Sequence, residues 1–177
     1  MMRWLRRKIL FLALFGAGLA LLLPRPDPTP TPVLPPLVGP VDRILVEKST
    51  RRMVVYRDGV ALRDYRVALG FAPDGAKIRQ GDGKTPEGTF RIDRKNAQSS
   101  YHLSVGLDYP QVADRDRAAA GGYDPGGDIF IHGQPNALPD DTVLKGDWTA
   151  GCIAVSNAEI REIFAAVQPG AIVEVRP

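Results

Sequence analysis

Between residues 24 and 40 the chain reads PRPDPTPTPVLPPLVGP, and eight of its 16 prolines fall in that stretch. Proline fixes φ and removes a backbone donor, so neither a helix nor a paired strand runs through such a segment. It reads as a semi-rigid spacer of extended polyproline II character. Whatever folds together must therefore lie on one side of it. The N-terminal side, MMRWLRRKILFLALFGAGLALLLPRP, offers only a basic tip and an uncharged run from Ile9 to Leu23. That run is long for a signal-peptide core and slightly short of a membrane span of about 17–25 residues. Residues 1–23 thus read as a signal peptide or a membrane anchor, in contact with the membrane either way. Both readings carry the rest of the chain out of the cytoplasm and leave the basic tip inside. Residues 24–40 are the linker, and residues 41–177 the folded domain.

The overall charge of +3 belongs to the tip. Four of the 23 Lys and Arg are Arg3, Arg6, Arg7 and Lys8, and the 20 Asp and Glu outweigh the rest. No basic patch interleaved with aromatics follows, so a nucleic-acid partner is excluded. Within the domain, alternation of apolar and polar residues predicts strands at 42–48, 52–57 and 60–69, with a hairpin turn at Asp58-Gly59. Further strands are expected at 88–93, 101–107, in GGDIFIHG up to His132, and at 171–175. YPQVADRDRAAAG suits a short helix stopped by Gly121-Gly122. VSNAEIREIFAAVQPG is the clearest helix, capped by Ser156 or Asn157 and ended by Pro169-Gly170. Many strands with two short helices make a β-rich α+β domain.

The chain has one cysteine, Cys152, in GDWTAGCIAV, and two histidines, His102 and His132. His132 ends a buried strand. Cys152 follows 20 residues later, after Gly151 and just before the capped helix. A nearby imidazole and a helix N-terminus both favour a thiolate, which predicts a lowered thiol pKa. Gly151 permits a tight turn that aims backbone N–H groups at an oxyanion. Histidine at a strand end, a loop, Gly-Cys and a helix together fit a Cys–His acyl-transfer site. The bland alternative is a small buried hydrophobe and a satisfied core histidine. An unpaired thiol in an oxidising compartment weighs toward use.

IFIHGQP followed by DWTAGCIAVSNAEI resembles the signature of the L,D-transpeptidase (YkuD-type) catalytic domain. GDGKTPEGTFRI (81–92) is similar to the upstream Thr-Pro-x-Gly-x-Phe segment of that family. The resemblance covers about residues 42–176 and implies a mixed β-sandwich with a few short helices. It implies a peptidoglycan enzyme of the periplasm or cell envelope, inner-membrane anchored or secreted. Cys152 would attack the bond after meso-diaminopimelate in a stem peptide, with His132 as general base. Gly151 and Cys152, with Ala150, would supply the oxyanion-hole amides, and Thr149 occupies the family's Ser/Thr position. No metal and no organic cofactor is implied.

Two positions depart from the family pattern. Ala150 stands where many members carry a second histidine, and Ala154 where many carry an arginine associated with the substrate side. YHLSVGLDYPQVADRDRA and GDWTAGCIAVSNAEI resemble a branch that includes an enzyme detaching a lipoprotein from peptidoglycan. A covalently attached outer-membrane lipoprotein is therefore a candidate partner, and hydrolysis a rival to crosslinking. Around the pair, Gly133, His102, Asp147 and Trp148 are candidate substrate contacts. Each has a bland reading as well: His102 as a structural strand residue, Asp147 as a solvated loop acid, Trp148 as a plug at the core edge. Asp128 reads as a turn residue, and Lys84 and Arg91 as surface charge. A metal hydrolase lacks ligand spacing here. A sortase-like enzyme would need a longer His-to-Cys interval and a following arginine. A non-catalytic envelope scaffold is the rival from outside the enzymes.

Overall fold

The fold is that of a computed structural model, which describes residues 36–177. The apolar segment 1–23 and the spacer up to residue 35 lie outside the described residues. Eight strands and two helices follow in the order β1 (Val41–Glu47), β2 (Arg52–Arg57), β3 (Val60–Arg66), β4 (Gly88–Ser99), β5 (His102–Leu107), α1 (Val112–Gly121), β6 (Phe130–His132), β7 (Ile153–Ala154), α2 (Asn157–Ala166) and β8 (Val167–Arg176). The strands form one mixed sheet in the order β3-β2-β1-β8-β4-β5-β6-β7. β1–β8 and β6–β7 are parallel, and the other neighbours are antiparallel.

The sheet curls. Just past β3, Ala68 bridges Ala154 and Gly70 bridges Thr149, so the chain after the first edge meets the chain at the last. Inside the curl, Ile44, Val46, Met53, Val55, Ile92, Leu107, Ile131 and Ile153 are fully buried or nearly so. α2 adds Ile160, Ile163 and Ala166 to this core. Its spacing of apolar residues is the helical one, and Ser156 caps it in a reciprocal box with Glu159. α1 stops at Gly122, which adopts the left-handed conformation.

Four elements differ from the sequence reading. β3 ends at Arg66, because residues 67–70 turn away to reach the cysteine segment. β4 runs on to Ser99, where its second half pairs with β5 alone and is largely exposed, so it carries no apolar alternation. β8 begins at Val167 and passes through Pro169 and Gly170, which therefore do not end the preceding helix; α2 stops at Ala166. The two-residue β7 has no signal of its own, since its partners are distant in sequence. At the other end of the domain, the last residues of the spacer are fastened to it. Leu37 N donates to Glu162 at 3.1 Å, and Arg57 Nε donates to Pro40 O at 2.8 Å.

Candidate active site

His132 closes β6, and Cys152 lies one residue before β7. In the parallel β6–β7 pair His132 is opposite Ala154, so Cys152, two residues earlier, projects on the same face as the imidazole. Both side chains wall one cavity of about 320 Å³, together with Ser99, Tyr101, Ser104 and Phe130. The imidazole Nδ1 lies 2.7 Å from Gly133 O. A carbonyl only accepts, so Nδ1 carries the proton and Nε2 is the basic nitrogen. A β-carbon on Gly133 would stand 2.6 Å from Asn157 Oδ1, so the residue after the histidine is pressed against the first turn of α2. The orienting group is thus a backbone carbonyl on a rigid strand end, not a carboxylate. Tyr101 stacks over His132 with ring centroids 4.6 Å apart, and Trp148 meets the imidazole edge-on at 5.7 Å. Two aromatic rings thereby fix its plane.

The thiol donates to Asp128 O at 3.4 Å. Burial pushes it above the ordinary cysteine range, a backbone N–H of Phe130 and the charge of Lys77 opposing, and the Asp128 carboxylate adding to the rise. Burial also pushes His132 below the ordinary imidazole range, against the Gly133 carbonyl. This corrects the expectation of a lowered thiol pKa. The helix that was to supply the positive end begins only at Asn157. Its first turn already faces an anion, because Glu159 accepts from Ser156 N at 2.8 Å. The resting pair is a neutral thiol beside a neutral imidazole.

The turn carrying the cysteine is clipped by Thr149. Its hydroxyl accepts from Gly151 N at 3.1 Å and donates to Cys152 O at 2.7 Å. The Gly151 amide is therefore engaged within the turn. Among the described residues the Ala150 and Cys152 amides donate to no protein acceptor. Gly151 has φ +135°, and a β-carbon there would meet Lys84 O at 2.7 Å. Beneath it, a β-carbon on Gly70 would fall 2.1 Å from Gly83 O. The Thr-Pro segment therefore supports the cysteine turn through three glycine backbones in contact. Thr85 Oγ1 accepts from Gly70 N at 3.1 Å to close the arrangement. The loop before it is gathered on Asp82. Against the upward push of burial, the amides of Ile78, Arg79 and Lys84 and the Lys77 ammonium hold this carboxyl at about 2. Lys48, buried, donates to Gly75 O, Thr85 O and Glu87. Lys48 had no sequence signal, since its partners lie 27 to 39 residues away.

The remaining candidates separate. Trp148 stays with the pair; its indole Nε1 is buried and has no hydrogen-bond partner in the protein. Asp147 does not face His132. It receives Arg51 Nη2 at 2.7 Å and Leu69 N at 2.9 Å, and it lines a second cavity of about 740 Å³ with Arg66, Leu144 and Ala154. His102 has φ +65° at the start of β5, and its Nε2 lies 3.0 Å from Arg161 Nη1, outside the lining of the cysteine cavity. Lys84 Nζ donates to Asp74 O at 2.6 Å, and Arg91 Nη1 to Gly170 O at 3.1 Å.

Residues 41–175 match the family of the L,D-transpeptidase catalytic domain, YkuD. The chain belongs to that family. YafK from Escherichia coli strains K12 and O157:H7 is 34% identical over 147 residues, covering 80% of this chain and 52% of the relative. The chain spans about half the length of these curated relatives. Among solved structures, the helical cell shape determining protein Pgp2 from Campylobacter jejuni is similar at a TM-score of 0.57 and 27% identity, covering 78% of this chain and 48% of that one. Bd1075 of Bdellovibrio bacteriovorus, at a TM-score of 0.55 and 23% identity over 78% of this chain and 48% of that one, shares the fold. So the domain is that of an enzyme family, on the expected strand-rich fold.

Proposed function

We propose that the chain is a cell-envelope cysteine acyltransferase acting on peptidoglycan stem peptides, delivered to the periplasm by residues 1–23. The observation that carries this reading is the pairing of Cys152 and His132 on adjacent strand ends in one cavity, within a domain of the L,D-transpeptidase family. Cys152 Sγ attacks the carbonyl carbon of the bond after meso-diaminopimelate while His132 Nε2 takes the thiol proton. Since both groups rest neutral, proton transfer accompanies attack rather than preceding it. The amides of Cys152 and Ala150, unengaged by protein, meet the oxyanion. His132 passes its proton to the leaving D-Ala amine as the C–N bond breaks, which leaves a thioester. An amine acceptor then gives a crosslink, and water a trimmed stem.

The hydrolytic outcome, including release of a peptidoglycan-linked lipoprotein, is the second reading. The resemblance of GDWTAGCIAVSNAEI to the branch that includes a lipoprotein-detaching enzyme supports it. The test incubates the full chain, wild type and Cys152→Ala, with purified disaccharide-tetrapeptide and with lipoprotein-linked muropeptides, products being read by mass spectrometry. Cysteine-dependent dimers are the expected product of the transpeptidase. Loss of D-Ala or of the lipoprotein residue without dimers assigns hydrolysis. No cysteine-dependent change in either substrate overturns the enzyme reading and leaves a scaffold.

A further inference from the structure

Across four neighbouring strands one rung of the sheet leads to the thiol. Arg94 on β4 is opposite Gly106 on β5, and Gly106 is opposite Phe130 on β6. The parallel register of β6 and β7 continues the rung to Cys152. The Arg94 side chain is laid along it. A β-carbon on Gly106 would fall 2.7 Å from Arg94 Cγ, so only glycine leaves room for the arginine to cross. The guanidinium carbon then sits 4.5 Å from the centre of the Phe130 ring, a cation–π seat, and Nη2 reaches Asp128 at 3.0 Å. Asp128 is the residue whose carbonyl receives the thiol, and its carboxylate raises the thiol pKa. It is held at φ +53°, a conformation that side chains other than glycine's seldom adopt, and its carboxylate is 88% exposed.

An exposed ion pair of this kind contributes little to folding, so a strained aspartate and an arginine threaded over a glycine are poorly explained by stability. Asp128 and Phe130 line the cysteine cavity, and the Arg94 guanidinium is held against both. We infer that Arg94 and Asp128 form a reader for an α-amino carboxylate, a carbon bearing both a free ammonium and a free carboxylate, on the substrate that Cys152 attacks. The ligand carboxylate takes the guanidinium and the ligand ammonium takes Asp128. Nη1 keeps its pair with Asp93 at 2.6 Å while Nη2 passes from Asp128 to the ligand, so opening the Arg94–Asp128 pair is matched on both sides. This deepens the proposed function and rests on it: the free end of meso-diaminopimelate is such a group. It also supplies, from β4, the guanidinium that Ala154 does not.

Two measurements on the full chain test this. Cys152 is the sole thiol, so its alkylation by anionic iodoacetate relative to neutral iodoacetamide reads the charge facing it, with the neutral reagent correcting for thiol pKa. The iodoacetate-to-iodoacetamide rate ratio falls several-fold in Arg94→Gln and rises in Asp128→Asn. In turnover, Arg94→Gln loses about tenfold in kcat/KM on the intact stem, the scale of one charge-assisted hydrogen bond, and loses nothing on a stem whose free carboxylate is amidated. Asp128→Asn behaves likewise toward the acetylated amine. An alkylation ratio that is the same in all three proteins overturns the inference, as does an equal loss on intact and modified stems. If no stem is turned over by wild type, the functional reading has failed, and the alkylation ratio alone decides whether Arg94 and Asp128 face the thiol.

Discussion

At the level of single residues, the proposed chemistry turns on two groups that burial drives toward neutrality. His132 is held below 6.5 and Cys152 above 9. A base that stays unprotonated to lower pH keeps working there, so the acid limb of kcat/KM is expected below pH 6.5. Alkylation of Cys152 by iodoacetamide is expected to go on rising above pH 9, and to be slow near neutrality. A plateau already reached at pH 7 would mean a preformed thiolate and would contradict the neutral pair. His132→Ala should lower turnover by about 10²–10⁴-fold, the range for a lost general base. Stability is linked to the same group. The unfolded chain protonates its histidine near 6.5 while the folded chain resists, so folding stability falls as pH drops below that value. Denaturant midpoints at pH 7.5 and 5.5 should differ more for wild type than for His132→Gln.

At the level of elements, the Thr-Pro segment and the cysteine turn act as one unit because glycines let their backbones touch. Gly70→Ala places a β-carbon 2.1 Å from a carbonyl oxygen, against backbone rather than a movable side chain. We expect a cost of about 1–3 kcal/mol and a fall in turnover, since Gly70 is bridged to Thr149. Gly146→Ala is the control: φ is +73° but nothing lies within 4 Å, so it costs about 1 kcal/mol and leaves turnover alone. Thermal unfolding with parallel assays separates the two. The hairpin at Asp58-Gly59, both helices and most strands were legible because their signals are local: a turn with two positive φ values, a capping box, a period of two or 3.6. Lys48 and Arg94 were not legible, because each owes its role to a partner that the fold brings from elsewhere. His132 and Cys152 stood out through their motifs. Asp147 was singled out as a substrate contact, but its pairing with Arg51, 96 residues away in the chain, had no local signal.

For the whole molecule, the curl of the sheet is closed by the same loop that leads from His132 to Cys152. Residues 133–151 leave β6 and return to β7, and along the way they are tied to three separate parts of the domain. Gln134, almost fully buried, donates to Val155 O at 2.7 Å and receives Leu144 N at 3.0 Å. Asp140 pairs with Arg161 of α2 at 3.0 Å. Asp147 pairs with Arg51 beside β2 and takes the Leu69 amide, which joins the two ends of the sheet. Asp147→Ala removes an acceptor from both and leaves a half-buried guanidinium with only Lys48 O to accept from it, at a cost of about 1–3 kcal/mol. Its local signature is the sharper prediction. Hydrogen exchange should accelerate at 67–71 and 143–152, where Ala68 and Thr149 form the closing bridges, and stay unchanged in β1, β2 and β8. Turnover should fall with it, because Thr149, the clip of the cysteine turn, is anchored through Leu69 O and Phe71 N. A uniform rise in exchange would instead mean that Asp147 stabilises the domain as a whole. Rapid exchange confined to the loop ends would identify the closure of the sheet as what holds Cys152 on the same face as His132.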